Sequence, residues 1–121
     1  MANILIIDDD QQFRTMLRQM IERNGYEVIE ASDGKEGIKL YRKNPTDLII
    51  TDLIMPEKDG IETIQELKKD FPDIKIIAIS GGGRLGPHDY LHLAKMMGAQ
   101  RTLIKPIDLP ELIKSIKELL E

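Results

Sequence analysis

Five short apolar runs, separated by longer amphipathic stretches, constrain this chain more than any other feature of its sequence. The runs are Asn3 to Ile7, Tyr26 to Glu30, Asp47 to Thr51, Ile74 to Ile79 and Thr102 to Ile104. Leu48-Ile49-Ile50 and Ile76-Ile77-Ala78-Ile79 show little polar alternation. A strand with one wet face alternates, whereas a parallel strand covered on both faces does not. The runs therefore read as parallel strands with helices on both sides.

The intervening stretches supply those helices. Phe13, Met16, Leu17, Met20 and Ile21 fall on one helical face, and Asn24-Gly25 stops the segment. A second helix is expected from Lys35 to Lys43, ending before Pro45, and a third carries Ile61, Ile64 and Leu67. A fourth covers Tyr90 to Met97 and stops at Gly98. The last starts near the capping residue Asp108, with Pro110 in its first turn, and turns Leu112, Ile113, Ile116, Leu119 and Leu120 inward.

A chain of 121 residues has room for one domain with one sheet. Each parallel crossover needs a helix and is right-handed, so the expected fold class is α/β, doubly wound, with helices on both faces. A five-stranded sheet favours the flavodoxin-like strand order 2-1-3-4-5. The switch point then falls between strands one and three, and a site should gather at their carboxyl ends.

Charge and composition narrow the partners. With 17 basic and 21 acidic residues the net charge is -4, which gives no electrostatic drive toward nucleic acid or an anionic membrane. Cysteine is absent, which excludes disulfides and thiolate metal sites and suits a reducing compartment. There is no basic leader or long apolar stretch, so a soluble, cytoplasmic protein is expected.

The strand ends meet the demand for a site. Strand one runs into Asp8-Asp9-Asp10 and strand three into Asp52. Carboxylates converging in one crevice repel and raise each other's pKa unless a cation sits among them. Magnesium suits such a crevice, because it takes one or two carboxylates, waters and a phosphate oxygen. Asp10 reads instead as the cap of the first helix. Strand four ends in Ser80 and strand five in Lys105, adding a hydroxyl and an ammonium at the same edge. Together these groups can make and hold an acyl phosphate by in-line transfer.

Ile6-Ile7-Asp8-Asp9, Thr51-Asp52-Leu53-Ile54-Met55-Pro56 with Asp59-Gly60, Ser80, and Lys105-Pro106 resemble the response-regulator receiver family of two-component signalling. The resemblance spans essentially the whole chain and implies a single stand-alone receiver domain over 1–121 with no output domain. It implies that Asp52 is the phosphoacceptor, and that Asp8, Asp9, Asp52 and the Ile54 carbonyl hold Mg2+, with Mn2+ as a substitute. Ser80 becomes the switch hydroxyl and Lys105 the phosphate-pairing lysine, with the N–H groups of Ile54 and Gly81 completing the cradle. The Lys105-Pro106 bond is expected to be cis, against the usual preference of X-Pro bonds. The implied partners are a sensor histidine kinase or histidine phosphotransfer protein and a downstream protein target. The domain would catalyse its own phosphorylation and slow dephosphorylation without turning over an external substrate.

The chain departs from the family pattern in three places. Thr102 stands three positions before the lysine, where receivers commonly carry an aromatic switch residue. The stretch from Ser80 to Lys105 is longer than usual, with the extra length expected in Gly81 to His88. Ile54 and Gly82 occupy the positions whose side chains would hold the hydrolytic water, and neither can hydrogen-bond through a side chain. The acyl phosphate is therefore expected to be long-lived.

Other readings fit less well. Gly81, Gly83 and Gly86 match G-x-G-x-x-G, but they follow strand four and are trailed by Pro87, whereas a dinucleotide fingerprint follows strand one. An aspartate-nucleophile phosphohydrolase would want an acid where Ile54 stands. His88 and His92 lack further metal ligands and are read as loop or surface residues, and Met96 and Met97 as core or interface filler. The main rival is a receiver-like interaction module that is not phosphorylated.

Overall fold

The computed structural model of the chain describes residues 2–53, 60–81 and 87–121, with residues 87–91 described by backbone alone. Strands and helices alternate as β1 (Asn3–Ile7), α1 (Gln11–Arg23), β2 (Glu27–Ala31), α2 (Gly34–Lys43), β3 (Leu48–Asp52), α3 (Gly60–Asp70), β4 (Ile76–Ser80), α4 (Pro87–Met97), β5 (Arg101–Ile104) and α5 (Leu109–Leu120). All neighbouring strands pair in parallel, in the order β2-β1-β3-β4-β5.

Alternate residues of each inner strand feed two separate cores, which is why the apolar runs lack alternation in the sequence. Leu5, Ile7, Ile49, Ile76 and Ala78 pack with Ile38, Ile64, Leu67 and Ala94 of α2, α3 and α4. Ile4, Ile6, Leu48, Ile50, Ile77 and Ile79 pack with Leu17, Ile21, Leu112 and Ile116 of α1 and α5. The expected inward face of α1 is narrower than its periodicity suggests, since Met16 is 40% exposed at its edge.

Helix ends follow local chemistry. Asp10, Asp33 and Asp108 cap α1, α2 and α5 by accepting backbone N–H bonds. Gly25 and Gly98 take positive φ of 93° and 118° just beyond α1 and α4, where a side chain is disfavoured. The fourth helix opens at Pro87, three residues before the sequence-based start, because proline's fixed φ suits a first helical turn. Strand boundaries shift by one or two residues: β2 is one later than expected, while β3 and β4 extend through Asp52 and Ser80 themselves. No helix among the described residues is long and apolar enough to cross a membrane.

Candidate functional site

The parallel register carries the chemistry to one edge. Asp52 pairs with Ile79 and Ser80 with Ile104, so both polar residues finish their strands at the carboxyl edge where Asp8 follows β1 and Lys105 follows β5. The Lys105 N–H donates to the Ser80 carbonyl at 2.8 Å, extending the ladder one step past β5. The Lys105-Pro106 peptide is cis, as the family resemblance implies.

Asp8, Asp9 and Asp52 each offer a carboxylate oxygen, and these oxygens all lie within 4.8 Å of one another. Asp8 and Asp52 are buried, at 1% and 7% exposure, whereas Asp9 faces solvent. This is a hard, all-oxygen donor set with one exposed member, which fits a divalent cation that keeps some of its water. Burial raises the Asp8 pKa, the nearby Asp9 charge adds to that, and the Asp10 N–H and Lys105 oppose it. The Asp10 N–H donates to Asp8 Oδ1 at 2.8 Å and fixes that carboxylate's rotation.

Lys105 Nζ sits 3.3 Å from Asp8 Oδ2 and 3.6 Å from Asp52 Oδ2. Its stem runs over Gly81, where a Cβ would come within 2.8 Å of Lys105 Cβ and Cδ. The bare backbone of Gly81 is thus what lets the lysine cross the sheet edge. Asp52 Oδ1 accepts from the Leu53 N–H at 2.9 Å, so the carboxylate is oriented by the backbone that follows it.

Ser80 is fully buried, and its Oγ has no hydrogen-bond partner among the described residues. A buried hydroxyl left unsatisfied costs about 1–3 kcal/mol. An oxyanion arriving at the edge of β4 would satisfy it, so this orphan hydroxyl fits a phosphoryl oxygen as the aspartate cluster fits a metal.

The structure thus gathers Asp8, Asp9, Asp52, Ser80, Gly81 and Lys105 at one edge. Thr102 lies further down β5, half-buried and paired with Ala78. Ile54, Met55, Pro56, Asp59, Gly82, Gly83 and Gly86 lie outside the described residues, as does the side chain of His88. His92 and Met96 are exposed, while Met97 packs against the α2, α3 and α4 core.

Two neighbours of the site escape a reading of the sequence. The Phe13 ring centroid lies 4.2 Å from Lys105 Nζ. Arg14 donates through Nη1 to the Asp8 carbonyl at 2.6 Å and pairs through Nε with Glu30 at 3.0 Å. Both follow a helix cap, a signal that they start α1 beside the strand ends, but periodicity alone files Phe13 with the core.

Comparisons with known proteins agree with this architecture. Residues 4–117 match the family model described as the response regulator receiver domain. The chain is 33% identical over 116 residues to the chemotaxis protein CheY of Thermotoga maritima, covering 95% of this chain and 94% of that protein. It is 30% identical over 117 residues to sporulation initiation phosphotransferase F of Bacillus subtilis, covering 97% and 92%. A crystal structure of a receiver domain protein from Clostridium thermocellum superposes with a TM-score of 0.91 at 32% identity, covering 99% of this chain and 94% of that one. With the fold, the edge chemistry and the likeness in agreement, the chain belongs to the response regulator receiver domain family of two-component signalling.

Proposed function

We propose that Asp52 accepts a phosphoryl group from a phosphohistidine on a sensor histidine kinase or histidine phosphotransfer protein. The observation that carries this reading is the convergence of three carboxylates, a lysine and a buried hydroxyl without a partner among the described residues at one strand edge. An Asp52 carboxylate oxygen attacks phosphorus in line, the P–N bond to the donor imidazole breaks, and the electron pair leaves with that nitrogen. Asp8, Asp9, Asp52 and the Ile54 carbonyl are the residues to hold Mg2+, with Mn2+ as a substitute, and the bound ion supplies charge neutralisation on the phosphoryl oxygens.

Lys105 follows the charge as it moves. Before transfer it lies near Asp8 and Asp52; afterwards it pairs with a phosphoryl oxygen as a point charge. Ser80 Oγ donates to another oxygen, and the backbone N–H groups of Ile54 and Gly81 complete the cradle. Drawing Ser80 toward phosphate moves the loop behind it and biases the surface that meets a downstream protein. With Thr102 in place of a bulky ring, that surface changes through the loop more than through a rotating side chain. The setting is cytoplasmic and the chain acts as a single receiver unit.

Intact mass after incubation with acetyl phosphate tests the reading. One phosphoryl adduct is expected with magnesium and none with a chelator or in Asp52→Asn. If no adduct forms where a reference receiver is labelled, the phosphate-independent interaction module becomes the better account.

A further inference from the structure

We propose that Phe13 is a positioning residue for Lys105, holding the ammonium over the phosphoryl site by a cation–π contact. The inference rests on the phosphoacceptor reading above. Lys105 Nζ lies 4.2 Å from the centroid of the Phe13 ring, well inside the range of about 6 Å over which such contacts act.

A closed circuit of contacts holds the ring in place. Asp8 Oδ1 accepts from the Asp10 N–H at 2.8 Å. Asp10 Oδ1, capping α1, accepts from the N–H of Phe13 at 3.2 Å. The Phe13 ring meets Lys105, and Lys105 returns to Asp8 Oδ2 at 3.3 Å. Phe13 also packs against the core cluster on the α1 and α5 side, which limits its rotation. The helix cap thus sets the ring, and the ring and Asp8 together set the lysine.

The ring does something the carboxylates do not. Asp8 and Asp52 attract Lys105 while they carry unshared negative charge, and that attraction weakens once a divalent cation engages the same oxygens. A ring quadrupole carries no net charge and competes for neither metal nor phosphate. It keeps the ammonium at the edge of β5 through metal binding, when the phosphoryl group arrives and its charge is needed.

The test follows labelling by acetyl phosphate and magnesium in the full chain. In that reaction an O–P bond to Asp52 forms, the O–P bond to acetate breaks, and acetate leaves as the anion. Phe13→Leu keeps an apolar side chain of similar reach and is expected to slow labelling about three- to thirtyfold. Phe13→Tyr is expected to stay near the wild-type rate. Replacing Phe13 with phenylalanines bearing increasing numbers of fluorine atoms drains electron density from the ring while nearly preserving its shape. The log rate should fall stepwise across that series while the thermal midpoint stays level. A flat series with a labelled wild type would overturn the positioning role and leave the acceptor reading standing. A wild type labelled by neither acetyl phosphate nor a phosphohistidine donor would overturn both together.

Discussion

Arg14 Nη1 donates to the backbone carbonyl of Asp8 at 2.6 Å, tying α1 to the turn that presents the acidic cluster. The same guanidinium pairs with Glu30 on β2 through Nε at 3.0 Å, so Asp8 is braced from a helix and from a neighbouring strand. Groups that orient a metal ligand without touching the metal typically change affinity about 10- to 100-fold when removed. Arg14→Met should lower magnesium affinity about tenfold, measured by calorimetric titration, with far-UV circular dichroism unchanged. Wild-type affinity in that variant would mean the sheet alone positions Asp8.

Asp8 lies 1% exposed, and burial raises its pKa from the ordinary aspartate value. An acid with a raised folded pKa takes up its proton more readily in the folded state, so stability falls as pH rises through the ordinary carboxylate range toward the folded value. Without metal, the charged form of Asp8 therefore costs the fold more than the neutral form. Asp8→Asn should raise stability in chelator, because the desolvation of its charge outweighs its pairing with Lys105. It should also abolish the stabilisation that magnesium gives the wild type. Urea unfolding with and without magnesium reads both effects, and a destabilised Asp8→Asn would contradict the first.

Glu30 has the opposite sign. Hydrogen bonding to Arg18 holds its pKa below the ordinary glutamate value, with Arg14 assisting and desolvation opposing. The stability it adds is present above the unfolded-state pKa and is lost as pH falls through the folded value. Its side chain is 24% exposed, so screening limits the contribution to about 0.5–1 kcal/mol. Glu30→Gln should cost that much at pH 7 and nothing at the acid end of the scale. Parallel stability curves for the two proteins across that span would remove the ion pairs from the account.

Acyl phosphate lifetime follows from side chains read in the sequence. Neither Ile54 nor Gly82 can orient a hydrolytic water through its side chain. After removal of acetyl phosphate, the phosphoryl group should persist for many minutes by intact mass. Loss within seconds would show that some other group holds the water.

How much of this was legible in the sequence depends on whether the signal is local. Unbroken apolar runs such as Leu48-Ile49-Ile50 declare a strand buried on both faces, and the switch-point rule then predicts where Asp8 and Asp52 meet. Asp10 and Asp108 declare helix starts because capping is a short-range bond. Strand ends were less legible: a polar residue closing a strand looks like a loop, yet Asp52 and Ser80 are still paired in the sheet. Met16 has helical periodicity toward the core but lies 40% exposed, and periodicity alone does not say where a helix face ends. Phe13 over Lys105 and Arg14 against Asp8 join residues from distant segments or through a backbone atom, and no spacing rule encodes either contact.

The most direct test of the central claim is to locate the phosphoryl group. Borohydride reduces an aspartyl phosphate to homoserine, and peptide sequencing by mass spectrometry then reads the modified position. Homoserine at position 52, formed only when acetyl phosphate and magnesium are both present, is the predicted result. Homoserine at Asp8 or Asp9 instead, or at no position in a chain that a phosphohistidine donor also fails to label, would contradict it.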